Sequence, residues 1–293
     1  ASGHHMQSRA MEHHNRAFQG TERLFKLLSG YFRVPGDFED VVYLMQLTQG
    51  EGVKVGVEHW RARKFRTAGT LFWQLNDCWP VTSWSCLDYA HRPKALYYYA
   101  KRFFAPLLPV IDYRDGRFSV RVVNDRPSPF EGELICGFGR VNGDQHWVDR
   151  QPCHVPANGA ADGASRTTEE LATPDPTRDY FWCRLIEDDR EIARNARFLA
   201  PYKHVALPAP EWEVSVESTD TRRHTLRLTN WCFAKAAWLR VSGMEAEFSD
   251  NFFDLFPELP TEVQVETPQD ISPAELQRRL EIRSVAEARH REA

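Results

Sequence analysis

The sequence predicts a multidomain chain in which an α/β segment is followed by two β-sandwiches, and three observations carry this. Its 293 residues exceed what one ordinary core holds, since domains usually run to roughly 100–200 residues. Up to residue 107 apolar residues recur at helical spacing around one short continuous apolar run. Beyond it they alternate in short runs broken by turn signals.

Residues 21–32 place Leu24, Leu27, Leu28 and Phe32 on one helical face. Gly36-Asp37 opens a second, long helix carrying Phe38, Val41, Val42, Met45 and Trp60, interrupted by Gly50, Gly52 and Gly56. The run GTLFWQL, residues 69–75, ends in the polar turn Asn76-Asp77 and reads as a buried strand opening into a loop. A helical segment, PKALYYYAKRFF, closes the region. Helix, helix, strand, loop, helix is the pattern of the last units of a parallel (β/α)8 barrel, whose chemistry sits at the C-terminal ends of its strands.

After Ala105-Pro106, FSVRVVND, GELICGFGR and YFWCRLIED form a sandwich pattern, with residues 156–178 as an exposed connection within it. Leu207-Pro208-Ala209-Pro210 marks a second boundary. WEVSVES, HTLRLTNW, KAAWLRVSG, EVQVETP and RLEIRSV then give a second immunoglobulin-like sandwich, and the charged tail after Ser284 is expected to fray. The domains are therefore 1–107, the end of the barrel; 108–206, the first immunoglobulin-like sandwich; and 207–293, the second. Residues 1–6 read as a cloning remnant, so the native start and the compartment are not legible.

A hydrophobic fraction of 42% and a charged fraction of 27% are those of a soluble globular protein. A net charge of −4 with scattered Lys and Arg offers no face for nucleic acid and no polybasic membrane patch. No apolar run approaches the roughly 20 residues that span a bilayer. Cys78, Cys86, Cys136, Cys153, Cys183 and Cys232 lack metal-ligand spacing and read mainly as buried thiols, with a disulfide between two of them left open. His13-His14 makes no metal site, because no Cys or carboxylate completes one.

The strongest signal is residues 69–110, GTLFWQLNDCWPVTSWSCLDYAHRPKALYYYAKRFFAPLLPV. This stretch resembles the end of the catalytic barrel in family 2 glycoside hydrolases of the β-mannosidase type. HHNR at 13–16, FEDVVYLMQLTQGEGV at 38–53 and FSDNFFDLFP at 248–257 fit the same family. The resemblance implies the C-terminal part of a retaining exo-β-mannosidase acting on terminal β-linked mannose of oligosaccharides. It implies no metal or organic cofactor, because such hydrolysis runs on two carboxyl groups about 5–5.5 Å apart. In the family the acid/base follows an Asn and the nucleophile follows a Ser. This chain has neither an Asn-Glu nor a Ser-Glu dipeptide, so no catalytic residue is assigned and the chain alone is expected to be inactive. The missing N-terminal part of the same enzyme becomes an expected partner. Two other readings are a non-catalytic carbohydrate-binding protein and a β-galactosidase or β-glucuronidase relative of the same layout.

The resemblance makes Trp73 a wall of the mannose subsite; residue type alone favours a core indole under the barrel rim. Asn76 and Asp77 either bind sugar hydroxyls or hold the following loop. Trp79 and Trp84 either face the leaving group or pack the barrel on the sandwich, and His91, Arg92 and Lys94 read as loop residues able to reach outer sugar units. Tyr97, Tyr98, Tyr99, Phe103 and Phe104 form an aromatic docking face, and Phe248–Asp254 reads as a plug at a domain interface, with Asp250 and Asn251 capping local backbone.

Overall fold

A computed structural model describes residues 5–290, so residues 1–4 of the presumed remnant and 291–293 of the tail lie outside the described residues. Helices α1 (Arg9–His14), α2 (Gly20–Tyr31) and α3 (Phe38–Ala62) come first, and α4 (Ala95–Phe103) follows a long irregular stretch. Asp37 caps α3 by accepting from the backbone N–H groups of Glu39 and Asp40 at 2.9 and 3.1 Å. Glu39 and Asp40 in its first turn and His59 and Arg61 in its last complement the helix dipole. The helix runs unbroken for 25 residues through Gly50, Gly52 and Gly56, against the expected interruption. Single glycines lower helix stability by only about 1 kcal/mol each, and the packed face supplies more.

The first sandwich comprises β1 (Leu107–Arg114), β2 (Arg117–Asn124), β3 (Phe130–Arg140), β4 (Gln145–Val155), β5 (Gly159–Thr167), β6 (Asp179–Glu187) and β7 (Arg190–Phe198). Its sheets have the orders β1-β2-β5 and β4-β3-β6-β7. Between them lie Phe118, Val120 and Val122 of one sheet and Leu134, Cys136, Phe138, Phe181 and Cys183 of the other. The Phe118 and Phe181 rings stack with centroids 4.9 Å apart. The 156–178 segment is not merely a connection: Gly159–Thr167 is strand β5, and small residues such as Ala164 let it lie close over the core.

The second sandwich comprises β8 (Glu213–Ser218), β9 (Arg223–Thr229), β10 (Ala234–Val241), β11 (Glu247–Phe248), β12 (Phe253–Leu255), β13 (Thr261–Glu266) and β14 (Leu280–Arg283). Its sheets are β12-β10-β14 and β11-β13-β9-β8. Helix α5 (Pro273–Arg279) starts from Ser272, whose hydroxyl accepts from the Glu275 N–H. The residues after Ser284 do not fray as expected. Val285–His290 forms helix α6, and Val285, Ala286 and Ala288 are buried.

A third core joins these units. Tyr43, Leu44 and Leu47 of α3 and Tyr98, Tyr99 and Phe103 of α4 pack with Tyr180 and Trp182 of the first sandwich and Phe233, Phe252 and Phe256 of the second. The aromatic face of α4 thus docks on both sandwiches. Phe252, in a left-handed conformation, lies 5.5 Å from the Trp238 ring and 6.1 Å from that of Tyr43. The 248–254 segment is therefore a plug. Asn251 holds it by accepting from Leu239 N–H at 2.8 Å and donating to Leu239 O at 2.9 Å.

The chain is mostly β-structure with a few helices, and residues 69–75 do not form the expected strand. Among the described residues no strand lies beside them, and a parallel barrel strand exists only through its neighbours.

Candidate functional site

Residues 69–94 run as an extended arm folded back on itself. The Leu75 carbonyl accepts from the N–H groups of Cys86 and Leu87 at 3.2 and 2.8 Å, and Lys94 N–H returns to Cys86 O at 2.8 Å. Outward-facing side chains alternate along the first limb. Leu71 is 97% exposed, Trp73 76% and Leu75 60%, so Trp73 is packed under nothing among the described residues.

Asn76 is exposed and Asp77 is buried at the bend. Ser83 and Ser85 donate their hydroxyls to the Asp77 carboxylate at 2.6 and 2.5 Å, and the Lys94 ammonium lies 3.6 Å from it. Burial pushes the Asp77 carboxyl up, but these two hydrogen bonds and the Lys94 charge outweigh it and hold the group below its ordinary range. Burial in turn pulls Lys94 below its ordinary value despite the carboxylate. A carboxylate so committed to Ser83, Ser85 and Lys94 holds the loop.

Trp79 is half-buried against the N-terminal helix. The His14 ring stacks on it with centroids 5.2 Å apart, the Arg16 guanidinium lies 5.0 Å from the indole centroid, and Thr82 N–H donates to His14 O at 2.9 Å. His14 Nδ1 also contacts Pro80 O. Trp84 is 51% exposed and its carbonyl accepts from Gln49 on α3 at 2.6 Å. His91 is exposed, and Arg92 pairs with Asp88 at 2.7 Å and lies 3.6 Å from Glu245 of the second sandwich.

The arm thus brings Asp77 and Lys94 together and presents Trp73 and Asn76 to solvent, while Trp79 is engaged by protein. Sequence reasoning gave no role to Ser83 and Ser85, and it placed His14 and Arg16 in the HHNR stretch without seeing their contacts with Trp79. The two serines flank Trp84 in TSWSC, and only the fold-back reveals their common acceptor.

Elsewhere a cleft of about 870 Å³ opens where α3, α4, β7 and the 249–262 segment meet, and none of Trp73, Asn76, Asp77 or Trp79 lines it. Its floor is a buried ion cluster. Lys235 Nζ lies 2.6 Å from Glu51 Oε1 and 3.0 Å from Asp254 Oδ2, and the hydroxyls of Tyr99 and Tyr202 donate to Glu51 at 2.7 and 3.1 Å. With every carboxylate there answered by a cation or hydroxyl, the cluster fastens α3 to the second sandwich.

Helices docked on two immunoglobulin-like sandwiches, with an exposed aromatic arm, define the class of this protein as multidomain and mostly β. Residues 116–204 match a mannosidase Ig/CBM-like domain family and residues 207–288 an Ig-fold domain family of mannosidases. The chain is 38% identical over 269 residues to a β-mannosidase of Mus musculus, covering 83% of this chain and 30% of that protein. It is 26% identical over 245 residues to β-mannosidase B of Aspergillus terreus, covering 76% and 29%. A solved β-D-mannosidase from Dictyoglomus thermophilum superposes with a TM-score of 0.89 at 32% identity over 96% of this chain and 34% of that one. The exo-chitosanase CsxA of Amycolatopsis orientalis, 20% identical with a TM-score of 0.67 over 92% of this chain and 36% of that one, shares the fold. These matches identify the chain as β-mannosidase-like, corresponding to the C-terminal portion of a family 2 glycoside hydrolase. It spans about a third of the length of the relatives it matches.

Proposed function

We propose that this chain is the C-terminal share of a retaining exo-β-mannosidase that removes terminal non-reducing β-D-mannose from oligosaccharides. In this reading its domains are the end of the catalytic barrel, residues 1–107, and two immunoglobulin-like buttresses, 108–206 and 207–293. The observation that carries it is the 69–94 arm. It combines the family motif with an alternating, exposed apolar limb that has no neighbouring strand among the described residues. The rest of the enzyme supplies the neighbouring strands and both catalytic carboxyl groups.

Trp73 offers an indole face to the C–H side of the mannose ring, and Asn76 offers an amide to its hydroxyls. Asp77 fixes the bend that aims both. Trp79, gripped by His14 and Arg16, presents an indole edge to the leaving-group side.

The test is the full-length parent enzyme assayed on aryl β-mannoside, β-galactoside and β-glucuronide. Preference for the mannoside supports the proposal, and preference for either other sugar overturns it. Absence of all three activities together with retardation in a mannan gel would favour a non-catalytic binding protein.

A further inference from the structure

Cys136 on β3 and Cys183 on β6 stand directly opposite each other in the antiparallel ladder. Both are unpaired thiols that face the inner core of the first sandwich, each no more than 1% exposed. Directly opposed residues of such a ladder have Cα atoms about 4.5 or 5.5 Å apart, depending on their hydrogen-bonding site. Both separations fall within the roughly 4.4–6.8 Å that a disulfide spans. Cys153 on β4 shares the same core but stands opposite Gly132, four positions from Asp149, the residue that faces Cys136. The register therefore selects one pair among three neighbouring thiols.

We propose that Cys136 and Cys183 form a cross-strand disulfide when the chain folds in the presence of a small-molecule disulfide such as oxidised glutathione. A thiolate of one cysteine attacks a glutathione sulfur and releases one reduced glutathione. The second cysteine then attacks the resulting mixed disulfide and releases another. The two protein sulfurs lose two electrons, and the glutathione disulfide takes up those electrons and the two thiol protons.

The bond is made before the sandwich closes. In the folded state burial pushes the Cys136 thiol up to about 12 and raises Cys183 well above its ordinary value, so little thiolate exists and the core admits no oxidant. The linkage would fasten the two central strands of the β4-β3-β6-β7 sheet, whose outer face carries Trp182 into the core shared with the helices.

The 293-residue chain is unfolded in denaturant and refolded either in a glutathione redox buffer or in excess reductant, then alkylated and mapped by mass spectrometry. Expected is a Cys136–Cys183 linked peptide and a protein two hydrogens lighter after redox refolding only. The already folded reduced protein should stay unlinked in the same buffer. A Cys153→Ser variant, which keeps both proposed partners, should form the same linkage. Full alkylation of all six thiols after redox refolding overturns the proposal, as does linkage of Cys136 to Cys153.

Discussion

Lys235 of the second sandwich holds its ammonium 2.6 Å from Glu51 Oε1 on α3, inside a protein interior where only 3% of the lysine side chain is exposed. With Asp254 at 3.0 Å on the same ammonium, this contact ties the helical segment to the C-terminal sandwich. Burial pushes Glu51 up, but the charges of Lys235 and Lys54 outweigh it and bring the group down to about 2. Lys235→Met would leave Glu51 buried and Asp254 half-buried without that cation and is expected to destabilise the chain by about 3–5 kcal/mol. A Glu51→Gln/Lys235→Met double variant should lose less than the sum of the singles, as read by denaturant unfolding of all four proteins. The Glu51 contribution is present above the unfolded carboxyl range and disappears as pH falls from there toward 2.

Gly50 and Gly52 separate a packing glycine from an idle one. A Cβ at Gly50 would meet the Tyr99 ring at 3.1 Å, and that ring is pinned by its hydroxyl on Glu51. At exposed Gly52 a Cβ meets nothing within 4 Å. Gly52→Ala should therefore stabilise the chain by up to about 1 kcal/mol, while Gly50→Ala should destabilise it. Thermal midpoints of the two variants check the sign of each.

His224 is expected to make the second sandwich sensitive to mild acid. It is 1% exposed, its Nδ1 lies 2.7 Å from the Ser218 hydroxyl, and its Nε2 has no hydrogen-bond partner among the described residues. Burial lowers its pKa, with Asp220 opposing weakly. Because the unfolded histidine takes up its proton first, stability should fall as pH drops below about 6.5. His224→Gln should flatten that slope between pH 7 and 5 in unfolding midpoints measured across pH; an unchanged slope would remove His224 as the cause.

Trp73 and Asp77 should fail in different ways. Trp73→Ala removes an exposed ring, so the 293-residue chain should keep its stability within about 0.5 kcal/mol, while kcat/KM on an aryl β-mannoside should fall in the full-length parent. Asp77→Ala strips the acceptor from Ser83 and Ser85 and the partner from Lys94, and should destabilise the chain by about 1–3 kcal/mol. Loss of stability in the Trp73 variant with unchanged kinetics would assign that indole to packing.

Much of the fold was legible because it follows from local period. Strands such as β9, with HTLRLTN, and β13 alternate cleanly, and the long helix was read from an apolar stripe of which Val41 is buried while Val42 and Met45 are half-buried. Helix α5 was not read from the sequence, although Ser272 caps it and Pro273 opens its first turn. Illegible features depended on partners far along the chain. The 69–75 run looks like a strand, but strands are made by their neighbours, and none lies beside it among the described residues. The tail after Ser284 looks disordered by charge, yet Val285, Ala286 and Ala288 find a core that only the tertiary fold provides. At the site, Asp77 was readable as a loop holder from its turn position. Its serine and lysine donors were not, because they meet it only once the arm folds back.

Side-by-side assay of the 293-residue chain and the full-length parent on an aryl β-mannoside addresses the proposed division of labour most directly. Expected is hydrolysis by the full-length enzyme and none by the chain alone, which contains neither an Asn-Glu nor a Ser-Glu dipeptide to serve as acid/base or nucleophile. Turnover by the purified chain itself, at a rate comparable with the parent, would contradict it.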